Sequence, residues 1–312
     1  MKNIIFTILL FITIFLPFYL FAQNIELKGQ VVDKKSNEAI PYSTLLVQSL
    51  KTGTLADMKG AYKLTIPNGN DKDTVIISAL GYEIKKMTLS ALSKEKNGIV
   101  KLNKKVYLLK EVVIKPKIPK IINIGIHDKK PYSELISRVF GANIGLFIEN
   151  KLKIIGLLKS VSFYIRDEGM PTAPFRVRIY SVNPINKQPD VDLLNENVIV
   201  SGKKGGGWLK VDLSKYNIIF PKEGFFVMAE WIYSGDQYYY KKKTNKMVND
   251  SVTLKKVIGT AYGPMFGSTK FNSLEILTWG RSSIGKPWGT LYYIDKGKHY
   301  NIMINADIEF QM

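Results

Sequence analysis

A chain of 312 residues with no cysteine and two histidines cannot carry disulfide staples, a cysteine or three-histidine zinc site, or the acylated cysteine of a lipoprotein. Stability must come from buried apolar surface, and the length allows two domains with proper cores. Lys plus Arg is 45 against 26 Asp plus Glu, a net +19, yet apart from short clusters such as Lys241-Lys242-Lys243 the lysines are scattered. That pattern reads as a solvated basic surface, and no specific nucleic-acid partner is expected.

In chain order, residues 1–22 open with Lys2 and an apolar run from Ile4 to Leu16 interrupted by Thr7 and Thr13. Pro17 follows, and Ala22 stands before Gln23. This is the pattern of a Sec signal peptide cleaved after Ala22, which places the mature chain in the periplasm, the outer membrane or at the cell surface. Residues 23–102 then alternate on a two-residue period. Tyr62, Leu64 and Ile66 are separated by Lys63 and Thr65, and Val75, Ile77 and Ala79 repeat the pattern. One face is apolar and the other wet, as in a half-buried strand. Asp57-Met-Lys-Gly60 between strands supplies a turn, since Asp bonds nearby backbone and Gly tolerates positive φ.

These elements recur in a recognisable order. Gly29-Gln-Val-Val-Asp33, Ile40-Pro41-Tyr42-Ser43, Gly53-Thr54, Asp57-Met-Lys-Gly60-Ala-Tyr62, Gly81-Tyr82 and Leu109-Lys-Glu-Val-Val-Ile114 together resemble the carboxypeptidase-regulatory-like domain. That domain is a transthyretin-like β-sandwich of many Bacteroidetes surface proteins. The resemblance implies a structural or interaction-mediating module without catalytic residues, of the kind that stands ahead of the plug of TonB-dependent outer-membrane receptors. No plug motif follows, and the chain falls far short of a barrel of about 22 strands. A relative or accessory of such receptors is expected.

Residues 103–140 read as a connector, with Lys115-Pro-Lys-Ile-Pro-Lys120 favouring extended backbone. Within it, residues 129–140 have helical spacing at Leu135, Ile136 and Val139. Residues 141–312 carry strand signals at 159–165, 175–180, 198–200, 208–213, 224–232 and 302–310, divided by Pro and Gly turns. Arg176 and Arg178 alternate with Val177 and Ile179, which predicts a strand wet on one face. The expected fold is all-β, a transthyretin-like sandwich followed by a second antiparallel, jelly-roll-like sandwich. The second half is also similar to β-sandwich segments of exported Bacteroidetes proteins that follow the same domain.

Catalytic chemistry finds little support in these residues. Gly280-Arg-Ser-Ser-Ile-Gly285 has one residue too many for a nucleophile elbow. Gly202-Lys-Lys-Gly-Gly-Gly207 lacks the order of a phosphate loop and reads as a hairpin loop. His127 and His299 read as surface and structural residues. No cofactor is expected, although Asp190 and Asp192 leave a structural calcium open. Glu230 and Asp236 are the pair a glycan-active enzyme would use. Aromatic residues crowd the last third. The loop at 278–289 brings Trp279, Arg281 and Trp288 together, and Tyr239 stands in the separate run Tyr238-Tyr-Tyr240, where period two turns at least one ring outward. Flat rings of this kind stack on sugar faces or anchor peptide side chains.

The leading expectation is a non-enzymatic cell-envelope binding or adaptor protein. Its ligand would be a glycan or a protein partner, met by Trp279, Arg281, Trp288 and Tyr239. The alternatives are a glycan-active envelope enzyme, or a structural accessory of an outer-membrane assembly in which residues 109–114 add a strand to a partner sheet.

Overall fold

The computed structural model describes residues 24–105, 119–248, 251–271, 275–291, 294–295 and 298–310. The signal-like residues 1–22 and the stretch 109–114 lie outside them. The chain divides into two units, Met1–Lys104 and Lys105–Met312.

The first unit holds β1 (Asn24–Asp33), β2 (Thr44–Val47), β3 (Thr52–Leu55), β4 (Ala61–Pro67), β5 (Thr74–Ser78), β6 (Lys85–Thr88), the short helix α1 (Leu89–Lys94) and β7 (Ile99–Leu102). They form a three-stranded sheet ordered β4-β1-β7 and a four-stranded sheet ordered β3-β2-β5-β6. Strand β4 alternates as its sequence predicts, with Tyr62, Leu64 and Ile66 buried and the residues between them exposed. These three join Val31, Leu45, Val47, Val75, Ile77 and Val100 in one core. Helix α1 is capped by Thr88, whose hydroxyl accepts from Ala91 N at 3.1 Å. In the turn after β3, Asp57 Oδ1 accepts from Lys59 N at 2.8 Å and Ala61 N at 2.9 Å. Asp57→Ala removes both acceptors, and a loss of about 1 kcal/mol is expected in denaturant unfolding followed by circular dichroism.

Among the described residues the second unit has sixteen strands. They are β8 (Lys120–Gly125), β9 (Ser133–Ser137), β10 (Asn143–Ile148), β11 (Gly156–Gly169), β12 (Pro174–Val182), β13 (Pro189–Asp192), β14 (Val198–Ser201) and β15 (Gly207–Asp212). The rest are β16 (Phe225–Trp231), β17 (Tyr239–Val248), β18 (Ser251–Phe271), β19 (Thr278–Arg281), β20 (Gly289–Thr290), β21 (Ile294–Asp295), β22 (Lys298–Ile302) and β23 (Ile304–Phe310). One seven-stranded sheet runs β13-β12-β16-β10-β19-β20, with β14 beside β12. A nine-stranded sheet runs β21-β22-β18-β11-β23-β8, with β15 on β11 and both β17 and β9 on β18.

Alternate residues of the two sheets meet in one core. Ile144, Leu146, Phe175, Val177, Ile179, Val227 and Ala229 come from the first sheet, and Val161, Phe163, Ile165, Phe266, Ile304 and Ile308 from the second. Phe175 bridges them, its ring 5.2 Å from Phe163 and 5.1 Å from Phe266. Each such buried side chain contributes roughly 1.5–3 kcal/mol. Both units are layered β structures, and the expected all-β class is what the chain adopts.

Several local expectations are corrected. Residues 120–125 and 133–137, read as connector, are strands of the second unit, pairing with β23 and β18. The helical spacing at 129–140 is overridden because Leu135 lies opposite Phe266 in the ladder between β9 and β18. The Gly-rich stretch 202–207 is no hairpin loop, since β14 pairs β12 in one sheet and β15 pairs β11 in the other. It is a crossover. The single final strand splits at Met303, with β22 on β18 and β23 on β11.

Candidate functional site

On the seven-stranded sheet, odd-numbered residues of β12 and β16 fill the core, so the even-numbered ones face away from it. Registers stack these outward residues in rows. Arg281, Asn143, Glu230 and Arg176 lie opposite one another across β19, β10, β16 and β12. The next row is Trp279, Gly145, Met228 and Arg178, and the one after is Phe147, Phe226 and Tyr180, with Asp192 of β13 at its end.

This face is not wet. Arg176 and Glu230 are each 1% exposed, and Phe226, Met228 and Tyr180 are buried with them. The sequence expectation of a solvated face at Arg176 and Arg178 is therefore corrected. The loop after β19 and the segment after β13 cover the sheet. Trp288 packs edge-on to Tyr180 at 5.4 Å, Trp279 packs on Phe226 at 5.5 Å, and Asn197 accepts from Arg176 at 2.9 Å.

Charge is organised beneath that cover. Arg176 Nε donates to Glu230 Oε2 at 2.8 Å, and its Nη2 lies 2.7 Å from the same oxygen. Arg178 Nε sits 2.6 Å from Asp192 Oδ2 and its Nη1 3.6 Å from Glu230 Oε2. Burial pushes the Glu230 carboxyl up, but Arg176, Arg178 and Arg281 together outweigh it and hold the group below its ordinary value. For Asp192, burial dominates over Arg178 and raises the group. Glu230 is thus the counter-ion of two arginines and not a carboxylate presented to substrate. Its expected partner Asp236 accepts instead from the Tyr233 hydroxyl at 2.8 Å. Asp192, engaged by Arg178 and by Leu194 N at 3.0 Å, has its oxygens committed within the protein.

Of the four residues singled out from sequence, three come together. The Arg281 guanidinium lies 4.5 Å from the Trp288 ring centre, and Trp279 is on the same strand as Arg281. Both tryptophans are half-buried, so part of each ring is committed to the sheet. Tyr239 belongs elsewhere. It packs at 4.8 Å on Tyr262 in a cluster with Phe140, Tyr233 and Tyr238.

A cavity of about 380 Å³ opens where the start of β10 meets the loop between β19 and β20, bounded by Asn143, Arg281, Ser282, Thr290 and Leu291. Asn143 is 3% exposed. Its Oδ1 and the Nε of Arg281 are both buried without a hydrogen-bond partner among the described residues. A second cavity of about 290 Å³, between β8 and β10, has mainly apolar walls such as Ile122, Leu146 and Phe220. Asn143 carried no signal in the sequence. Only the cross-strand register puts it beside Arg281.

Residues 27–114 match the family model of the CarboxypepD_reg-like domain, so the N-terminal part of the chain carries a domain of that family. Two relatives align over 192 residues. TonB-dependent receptor P3 of Formosa agariphila is 24% identical across 61% of this chain and 18% of its own length. TonB-dependent receptor SusC of Bacteroides thetaiotaomicron is 32% identical across 60% of this chain and 17% of its own length. The chain thus spans under a fifth of the curated relatives it matches. Among solved structures, that of infectious bursal disease virus Gx strain aligns with 93% of this chain and 64% of the viral chain at 8% identity, with a TM-score of only 0.24. No helix among the described residues is long and apolar enough to cross a membrane.

Proposed function

We propose that this chain is a non-enzymatic binding or adaptor protein of the bacterial cell envelope, exported by Sec. In this reading the second sandwich engages a glycan or protein partner through β19, which bears Trp279 and Arg281, and the loop after it, which bears Trp288. The CarboxypepD_reg-like domain and the similarity to TonB-dependent receptors support an envelope setting. One observation carries the binding role. The loop closes over a charged sheet face yet leaves a cavity with a buried donor and a buried acceptor both unmet. Groups of that kind are usually satisfied in a resting fold, and exceptions mark places where something else completes them.

Co-sedimentation of the purified chain with washed envelope fractions tests the reading. Wild-type protein is expected in the pellet, and Arg281→Gln combined with Trp288→Ala is expected to weaken the apparent affinity about tenfold, about 1.4 kcal/mol, in a titration of envelope against protein. Equal retention of both proteins, with unchanged circular dichroism, would remove the loop from the function.

A further inference from the structure

The cavity beside β10 has a chemistry more specific than its size. Asn143 and Arg281 are direct partners in the ladder between β10 and β19, which sets their side chains next to each other on one face. Asn143 Oδ1 can only accept and Arg281 Nε–H can only donate. Both are buried, and among the described residues neither has a partner, the other included. Leaving such groups unmet carries the full desolvation penalty of each. A ligand that carries an acceptor and a hydroxyl donor on neighbouring atoms recovers both terms at once.

Charge narrows the choice. Among described residues Glu230 and Asp192 are taken up by Arg176 and Arg178, and no carboxylate forms an ion pair with Arg281. The described residues lining the cavity include Arg281 and Arg138 and no carboxylate at all. Arg281 also feels the Glu230 charge, but three arginines stand against two carboxylates in this row, and the excess positive charge calls for an anion on the ligand. Beyond the Asn143–Arg281 pair, Ser282 and Thr290 add hydroxyls and Leu291 adds an apolar wall, in a volume of about 380 Å³. Pockets of this size class hold small ligands.

We infer that this cavity binds the carboxylate-bearing sugar of an acidic glycan, a uronic-acid unit whose carboxylate takes the Arg281 N–H while an adjacent hydroxyl donates to Asn143. The inference rests on the reading of the tryptophan loop as a ligand-facing surface and names the ligand that surface selects. A peptide carboxyl terminus offers an anion and an N–H donor but no further hydroxyls for Ser282 and Thr290. It is the competing outcome.

The test uses the purified full chain, titrated calorimetrically with digalacturonate, with maltose as a neutral sugar of the same length, and with acetyl-dialanine as a peptide carboxylate. Digalacturonate is expected to bind more than about tenfold tighter than either, since a hydrogen bond to a charged group is stronger than one between neutral groups. Arg281→Gln should erase that preference. Gly289→Phe guards against misfolding. Gly289 lines the cavity and a Cβ there meets nothing within 4 Å, so a large side chain is accommodated at an unchanged melting temperature while it crowds the cavity, and binding should fall sharply. Equal binding of maltose, tighter binding of acetyl-dialanine, or full digalacturonate binding by Gly289→Phe would each overturn the inference. If digalacturonate fails while envelope retention still depends on Arg281 and Trp288, only the ligand class falls. If retention is independent of the loop as well, the wider reading falls with it.

Discussion

Replacing Glu230 by Gln is expected to lower the unfolding free energy of the second unit by about 3–5 kcal/mol. The substitution keeps the shape and removes the charge that neutralises Arg176, which is 1% exposed and bonded to Glu230 at 2.7 and 2.8 Å. An arginine cannot shed its proton to escape, so it is left charged and uncompensated in an apolar setting. Replacing both partners together, Arg176→Met with Glu230→Leu, should recover most of that loss, because the desolvation of both ions is relieved while Arg178 keeps Asp192 as its partner. All four tryptophans (Trp208, Trp231, Trp279 and Trp288) lie in the second unit, so their fluorescence in a urea titration reports this transition alone.

The pH dependence has a definite sign. Glu230 is held below its ordinary value of 4.5, burial opposing and the three arginines prevailing. Its contribution is therefore complete above 4.5 and is lost as pH falls through the lowered value. The stability gap between wild type and Glu230→Gln should be widest at neutral pH and close under acid. Asp192 runs the other way. Burial raises it above 3.8 against the pull of Arg178, so its contribution is present below 3.8 and fades as pH rises. It cannot imitate the acid-side loss. A single-variant cost under about 1 kcal/mol, or a gap that persists at low pH, would show that the row is not a coupled charge network.

How much of this was legible beforehand follows from the range of the interactions. Period-two alternation is local, so the two faces of β4 and of β12 could be read directly from the sequence. What covers a face is not local. Arg176 and Arg178 read as wet because alternation marks which residues share a side, and says nothing of a loop more than a hundred residues later that closes over them. Strands β8 and β9 were missed for a related reason. They lie on already paired sheets, so their extended form is set by β23 and β18 and not by their own composition. The tryptophan loop was visible as Trp and Arg between glycines. That its rings would pack half inward, and that Asn143 would stand beside Arg281, depends on register alone.

The second large effect belongs to the first unit, at Gly29. There the chain of contacts runs through three elements named in the sequence motif or next to them. Gly29 on β1 lies opposite Tyr62 on β4, and the Tyr62 hydroxyl donates to the Gly98 carbonyl at 2.8 Å, just before β7. Burial, aided by Glu95, pushes the Tyr62 hydroxyl up to about 12, so it remains a donor throughout the ordinary pH range. The hydrogen bond fixes that carbonyl over the β1 backbone, where a Cβ on Gly29 would stand 2.0 Å from the Gly98 oxygen. The obstacle is backbone tied at both ends, and no rotamer change relieves it. Gly29→Ala is therefore expected to cost about 3 kcal/mol or more, the upper end for overpacking. Gly289→Ala, where the added atom meets open space, should stay within about 1 kcal/mol. Hydrogen exchange read by mass spectrometry locates the damage. Amides of β1, β4 and β7 should lose protection in Gly29→Ala while those of β10 and β16 in the second unit keep theirs. Full protection of β1 in that variant would mean that the close approach of Gly29 and Gly98 does not hold the two strands together.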